Sequence, residues 1–583
     1  MRTLLSGALW LIAIGLPAST GIKAQPRRPA RGSTPGGRSI SVTDTTYNGG
    51  DSSVCTGTSH IDGTNANAST TMGPVQLAIH YASTHGIPTV TVPVNATCNF
   101  PYLYMTGGGV CSALDMETGV TLVGLGNDTI DANVVGIQSG ILPPAGCPQT
   151  WGAINHDSVF KVGYIANTTS YNGDGTGGYV TNATTAGSHQ INFATAGDEL
   201  NFAVGDYIAL FLDQAVQSDS GNVCHDTCPM QVNLVTNVNS GGSGSHYIMV
   251  QDPVEYSFPA TTYTTAMGSY PGPWIRNVTC GKSTGSPYGP ASCTIHDVGA
   301  KNFTVNANLF PWDIDESWNI TFDNITWNLA TCSACGGGVQ NSDQWGINTA
   351  MHWTVSNSTL NWQRNGSIQN QEAHQRESGY VLFKNVTIQI PPGDTGGWTS
   401  ISSAEWVYED TWDNVTLPNL VRDPTGAQTA AFMIAGSHNT VKNSHITLTG
   451  GFNTARCGSP PSCGIVVTSY GNLRGYEGYY TIQNNTITGR ADGGAMMSVI
   501  SSGPSTNTNI VSGNQTKITG GNAYGLVMWT PSTGYTVSGN TNNGAVTGSG
   551  MFFNGTGSNC SITNNSNLVM HGGTGCTRVS VQP

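Results

Sequence analysis

The stretch Phe322-Asp-Asn324-Ile-Thr-Trp327 decides the fold, because it recurs. Val355-Ser-Asn357-Ser-Thr-Leu360, Phe383-Lys-Asn385-Val-Thr-Ile388 and Trp412-Asp-Asn414-Val-Thr-Leu417 repeat its pattern of apolar residue, polar residue, Asn and second apolar run. Val441-Lys-Asn443-Ser-His-Ile446 and Ile482-Gln-Asn484-Asn-Thr-Ile487 follow, then Val511-Ser-Gly-Asn514, Val537-Ser-Gly-Asn540 and Ile562-Thr-Asn564-Asn565. The leading residues stand 33, 28, 29, 29, 41, 29, 26 and 25 apart. Periods of this size mark a solenoid or an array. Each unit offers short strands of β-branched and aromatic residues broken at Asn or Gly. Asn tolerates left-handed backbone, so it turns a strand through a tight corner. Asn side chains stacked at one corner can bond from coil to coil. One coil cannot bury its inward face, but a stack can. An array of β-sandwiches would need periods near 100 residues.

Composition agrees with an all-β chain. Only 9% of the 583 residues are charged, against roughly 25% in average domains. Gly contributes 76 residues without a triplet period, which excludes collagen. A hydrophobic share of 38%, with 13 Trp and 21 Tyr, argues against disorder.

Arg2 precedes an apolar run from Leu4 to Leu16, and small residues lead to Ala24. This predicts a secretory signal over 1–24, with no other membrane segment. A flexible basic tether is expected over 25–45, followed by the N-terminal cap and first coils over 46–135. A β-rich insertion with early coils is expected over 136–290, and the main repeats with a C-terminal cap over 291–583. Without signal and tether the chain keeps 14 basic and 32 acidic residues, a charge of −18 that disfavours nucleic acid. An exported polysaccharide partner fits, whether the protein is extracellular, periplasmic or at the cell surface, and as monomer or trimer.

Fourteen cysteines in an exported chain predict disulfides. Pairing of sequence neighbours gives Cys98–Cys111, Cys224–Cys228, Cys280–Cys293, Cys332–Cys335, Cys457–Cys463 and Cys560–Cys576, leaving Cys55 for Cys147. Zinc at Cys332-Ser-Ala-Cys335 is disfavoured, since no second CxxC pair stands at ribbon spacing. Asn319, Asn324, Asn385 and Asn414 also begin Asn-x-Thr/Ser sequons, for which turn chemistry is preferred over glycosylation.

The N-terminal section adds a resemblance. Asp62-Gly-Thr64, the amphipathic run Val75-Gln-Leu-Ala-Ile-His-Tyr-Ala82, Thr89-Val-Thr-Val-Pro93 and Gly119-Val-Thr-Leu-Val-Gly-Leu-Gly126 appear in that order. This resembles the pectate-lyase-3 (rhamnogalacturonase/epimerase-like) type of the pectin-lyase-like superfamily. Val204-Gly-Asp-Tyr-Ile-Ala-Leu210, Gln231-Val-Asn-Leu-Val-Thr-Asn-Val238 and Tyr247-Ile-Met-Val-Gln-Asp-Pro253 resemble the small β-rich excursion of such proteins. The resemblance implies a right-handed parallel β-helix with a short N-terminal capping helix, acting on polysaccharide. The closely spaced set of Asn-x-Asp, Asp-Asp and Gly-His-Gly motifs of polygalacturonases does not occur, since the sequence has no Asp-Asp and no Gly-His-Gly.

Fourteen acidic residues lie between Asp297 and Asp423, and none follow Asp492. Counting seven residues back from successive repeat leaders gives Asp315, Asn348, Arg376 and Glu405, then Ile434. Equal turns would stack them in one column at about 4.8 Å per coil. Nine back gives Asp313, Gly346, His374 and Ser403. Asp315, Glu372 and Glu405 are therefore acid/base candidates for glycoside hydrolysis, which wants carboxyls about 5–5.5 or 6.5–9.5 Å apart. Arg376 can grip a uronate carboxylate, and Arg376 or His374 can serve as the base of a lyase, with Ca²⁺ as a possible helper. No other cofactor or metal is expected. Trp312, Trp345, Trp398 and Trp406, with Asn348, are candidates for sugar binding. A non-catalytic carbohydrate-binding or adhesion protein on the same scaffold is the remaining alternative.

Overall fold

The computed structural model describes residues 38–64, 68–105, 111–134, 158–163, 179–211, 230–241, 246–258, 261–265, 268–277, 295–315, 317–329, 347–348, 351–362, 373–376, 378–389, 400–421, 430–449, 462–467, 478–491, 495–500, 509–521, 524–529, 534–543, 551–556, 560–566, 570–574 and 577–579. Two long sheets run through it, one of 20 strands and one of 14. Each coil places one strand in the 14-stranded sheet, turns a corner, then places one strand, or two segments around an Asn turn, in the other. Trp318–Leu329, for example, pairs in parallel with His296–Ala307 on one side, and with Met351–Ser356 and Thr359–Trp362 on the other. Parallel pairing of consecutive coils makes a β-helix, and parallel crossovers are right-handed.

The Asn turns behave as the repeat pattern requires. Asn324, Asn357, Asn385, Asn414, Asn443 and Asn484 hold φ between 49° and 58°. Their amides donate down the stack: Asn414 Nδ2 to Asn385 Oδ1 and Asn385 Nδ2 to Asn357 Oδ1, both at 2.9 Å. Asn319 donates to Asp297 and Asn324 to Asn302. The four sequon amides thus each donate a hydrogen bond to the preceding coil. In the later coils a second, buried ladder stands one residue further on. Asn485, Asn514 and Asn540 each donate to the next, ending on Asn565, with Asn514 Nδ2 to Asn540 Oδ1 at 2.9 Å.

The interior is an aromatic stack of Phe160, Trp312, Phe322, Trp327, Trp353, Phe383, Trp412 and Phe432. The helix Pro74–Thr84 is present and closes one end. Val75, Ala78, Ile79 and Ala82, at the spacing of one helical face, are its buried residues. Pro74 starts it without losing a hydrogen bond. Gln76 caps the sheet edge by bonding both the N–H and the C=O of Asp115.

One boundary moves. Ser39–Ser41 already pairs with Thr89–Val92, so the solenoid begins inside the stretch assigned to the tether. Ser158–Val162 lies between Cys111–Met116 and Phe310–Asp315 in the 14-stranded sheet, an early coil strand that precedes the insertion. The insertion's six strands, from Tyr179–Val180 to Trp274–Asn277, pair antiparallel around their own core of Ile191, Phe193, Ile208, Leu210, Ile248 and Val250. The signal segment lies outside the described residues, among which no helix is long and apolar enough to cross a membrane.

The cysteine pairing also changes. Cys98 bonds to Cys55, not to Cys111. Sequence neighbours fail here because Cys98 sits in the 20-stranded sheet and Cys111 in the other. Thr56 bridges to Thr97, and Asp62 accepts the N–H groups of Cys55 and Asn99, which brings the two sulfurs together. Cys111 and Cys560 are each disulfide-bonded. Cys147, Cys224, Cys228, Cys280, Cys293, Cys332, Cys335, Cys457 and Cys576 lie outside the described residues. Ligand atoms of Cys55, Cys98 and Asp62 lie within 4.8 Å of one another, but the disulfide consumes both sulfurs, so the cluster is no metal centre.

Candidate functional site

The column obtained by counting exists in the register of the 14-stranded sheet. Asp315 pairs with Asn348, Asn348 with Arg376, and Arg376 with Glu405, on four successive coils. His374 pairs with Ser403, two residues before Arg376 and Glu405. At about 4.8 Å per coil, Arg376 and Glu405 are neighbours, while positions 315 and 405 stand roughly 14 Å apart. Asp315 and Glu405 therefore cannot share one glycosidic bond. Glu372 lies outside the described residues, as do Trp345 and Trp398. Ala373 pairs with Ser402, so the column of Glu405 meets this coil at Arg376, three residues further on.

At Glu405 the strand is irregular. Ala404 pairs with Ile434 but Val407 pairs with Gly436, so Ser400–Tyr408 carries one extra residue at Glu405–Trp406. Such bulges bend a strand and re-aim side chains, and they concentrate beside active sites. Gly436 makes room for this one: with φ 124°, a Cβ there would lie 2.1 Å from Val407 O. Sequence reasoning missed the bulge, since nothing in Ala404-Glu-Trp-Val407 announces an unpaired residue.

Asp313 lies two residues before Asp315 and belongs to a charged ladder on earlier coils. Lys161 pairs in register with Asp115 on one side and Asp313 on the other. Its Nζ lies 2.5 Å from Asp313 Oδ2, and both residues are 1% exposed. Phe160 and Trp312 face the core and alternate with them along the strands. The adjacent Asp115 has its pKa raised to about 7, first by burial, then by the charge of Glu117, with Lys161 opposing. A buried ion pair is costly to break once formed.

Trp312 corrects an expectation. It is fully buried, stacked on Phe322 and edge-on to Trp327 and Trp353, so it packs the core and meets no sugar. Strand parity explains this: Asp313 and Lys161 share one face, Trp312 and Ile314 the other. Trp406 follows Glu405 within the bulge.

The register defines the class: a right-handed parallel β-helix that, among the described residues, carries a helix at Pro74–Thr84 and a six-stranded antiparallel insertion. No family model and no curated protein matches the chain. Solved structures similar to it include PfbA, a surface adhesin of Streptococcus pneumoniae, at 12% identity, covering 92% of this chain and 91% of that one with a TM-score of 0.40. The Gp54 tailspike of Acinetobacter baumannii bacteriophage AP22 is 8% identical over 85% of this chain and 74% of its own, with a TM-score of 0.39. The A-module of the Azotobacter vinelandii mannuronan C-5 epimerase AlgE4 is 10% identical over 93% and 98%, with a TM-score of 0.27. At such values the likeness carries nothing about activity.

Proposed function

We propose that this is an exported enzyme that cleaves a polysaccharide laid along the 14-stranded sheet, with its reaction centre at Arg376 and Glu405. The observation that carries this reading is the register column Asp315–Asn348–Arg376–Glu405 ending on a bulge. A stack of coils offers a repeating polymer one side chain per coil, at about 4.8 Å. Arg376 suits an acidic sugar, because a guanidinium holds a carboxylate through two parallel hydrogen bonds. In hydrolysis Glu405 is one carboxylate and Glu372 is the candidate for the second, with Asp315 and Glu372 as the other pair. A retaining pair needs about 5–5.5 Å and an inverting pair about 6.5–9.5 Å, so Asp315 serves only with a partner nearer than Glu405.

One feature favours elimination as the second reading: Arg376 and Glu405 are register partners, and His374 stands two residues away. Such a centre couples a carboxylate-binding cation to a nearby base. Ca²⁺ wants six to eight oxygens in one shell. Positions 315 and 405 are roughly three coil spacings apart, too far to share a shell, so no step is assigned to a metal.

The test incubates the purified protein with neutral and acidic polysaccharides, with and without Ca²⁺. Reducing ends and ultraviolet absorbance of unsaturated uronates are read in parallel. Reducing ends alone mean hydrolysis, and both signals mean elimination. Binding without either signal is the result of an adhesion protein and contradicts the proposal.

A further inference from the structure

The insertion meets the β-helix along one corner. Asp297, Asn319, His352, Tyr380, Glu409, His438 and Tyr479 turn successive coils there with φ between 55° and 62°. The opposite corner uses Asn, which tolerates this conformation. Here His352, Tyr380, Glu409, His438 and Tyr479 adopt it as well, and such strain persists only where surroundings hold it. The surroundings are the insertion. On Tyr207–Phe211, Ile208 and Leu210 fill the insertion's own core, while Tyr207 meets the rings of His352 at 5.0 Å, Trp318 at 6.3 Å and Tyr380 at 6.5 Å. Val232 approaches so closely that a Cβ on Gly379 would lie 3.1 Å from its Cγ2.

Glu255 stands at the centre of this contact. Its loop is pre-set by two side-chain amides. Gln231 accepts from Glu255 N at 2.9 Å and donates to Pro253 O at 3.0 Å, while Asn233 bonds both the N–H and the C=O of Asp252. The carboxylate then reaches across to the β-helix. Glu255 Oε1 accepts from Tyr408 Oη at 3.1 Å and lies 3.1 Å from His438 Nε2. His438 Nδ1 is 2.8 Å from Ser437 Oγ, which is 2.8 Å from Tyr256 Oη back on the insertion. Glu255 and Tyr256 of the insertion thus close a loop of polar contacts through His438 and Ser437 of the β-helix, with Tyr408 bonded to Glu255 beside it. The strand Met230–Asn239 lies alongside Ser400–Tyr408, the strand that carries the Glu405 bulge.

We propose that Glu255 is a positioning residue: it latches the insertion to the β-helix as a fixed wall beside Glu405, and this wall shapes the saccharide cleft. The inference rests on the cleavage reading of that site. It follows from where the contacts fall, since Tyr408 is three residues beyond Glu405 and bonds Glu255 directly. Burial and the charge of Glu255 hold the Tyr408 hydroxyl protonated well above the ordinary range, so it remains a donor. Burial lowers His352 to about 4, so it stays neutral and stacks on Tyr380 as an apolar ring. The groups facing the latch are Asp252, Glu255 and Tyr256 from the insertion, and His352, Tyr380, Tyr408, Glu409, His438 and Tyr479 from the β-helix.

The test is hydroxyl-radical footprinting of the full chain, read by mass spectrometry at single tyrosines. Tyr207, Tyr256 and Tyr408 are 1%, 3% and 3% exposed, and Tyr480 and Tyr535 in the solenoid core are internal controls at 0% and 1%. Glu255→Ala should raise oxidation of the first three about tenfold, as loss of a charge-assisted contact implies, with the controls unchanged. Glu255→Gln keeps an acceptor for Tyr408 and should raise it less. On whichever polysaccharide the protein cleaves, Glu255→Ala should raise KM and leave kcat within about twofold, the signature of lost binding rather than lost chemistry. Unchanged tyrosines in Glu255→Ala, or a rise of all five together in both variants, overturn the latch. Opened tyrosines with an unchanged KM overturn the wall. If no polysaccharide is cleaved, the cleavage reading fails, while the footprint still decides whether Glu255 holds the insertion.

Discussion

Replacing Asp410 with Asn should stabilise this protein, and more so as the pH rises. Asp410 is fully buried at the point where apolar corner residues give way to Asn439, Tyr480 and Asn509. Its Oδ1 accepts from Val381 N at 2.9 Å, and its own N–H donates to Asn439 Oδ1 at 3.0 Å. Its Oδ2 meets no hydrogen-bond partner. Burial, reinforced by the charge of Glu409, pushes its pKa well above the ordinary carboxylate range. The native state therefore keeps a proton that the unfolded chain releases near pH 4. Stability from this group is present below that pH and is lost as pH rises toward the native pKa. Asn carries no such cost, keeps the acceptor for Val381, and offers the amide that Asn439 uses toward Val407 O at 3.1 Å. The advantage of Asp410→Asn should grow as pH rises above 4, approaching about 1.4 kcal/mol per pH unit below the native pKa. Satisfying the orphaned oxygen position adds about 1–3 kcal/mol. Urea unfolding of both proteins, followed by tryptophan fluorescence at several pH values, measures this. A pH-independent difference, or a variant less stable than wild type at pH 7, would refute the reasoning.

Three further outcomes follow from the same geometry. Lys161→Met should cost about 3–5 kcal/mol by stranding Asp313, and the double variant Lys161→Met/Asp313→Leu should recover most of it, as denaturant midpoints will show. At the exposed ladder, Asn414→Ala should lose about 1 kcal/mol, since it forfeits the bond to Asn385 and strains a left-handed residue, whereas Asn414→Gly should lose less. Cys55→Ser should lower stability by about 2–4 kcal/mol, because it opens the closed loop to Cys98, and treatment of wild type with a thiol reductant should match it in the same titration.

The solenoid was legible because its two causes are local. Each Asn turn needs only one left-handed residue, and each flanking strand needs only alternation, so Phe322-Asp-Asn324-Ile carries the whole instruction. The column from Asp315 to Glu405 was legible for the same reason, since equal coils convert sequence distance into register. What failed was non-local. Nearest-neighbour cysteines ignored that Cys98 and Cys111 occupy different sheets. Trp312 was misread because indoles suit both sugar and core, although its alternation with Asp313 already placed it inside. The Glu405 bulge depends on Gly436 one coil away. The Glu255 contacts join residues more than 150 positions apart, where no period helps.

The central claim is that the Arg376–Glu405 centre cleaves polysaccharide, and the most direct measurement compares wild type with Glu405→Gln on the polysaccharide panel. The account predicts product release by wild type and its loss in Glu405→Gln by about two orders of magnitude or more, the usual weight of an acid–base group, with circular dichroism unchanged. Equal release by both proteins would contradict it.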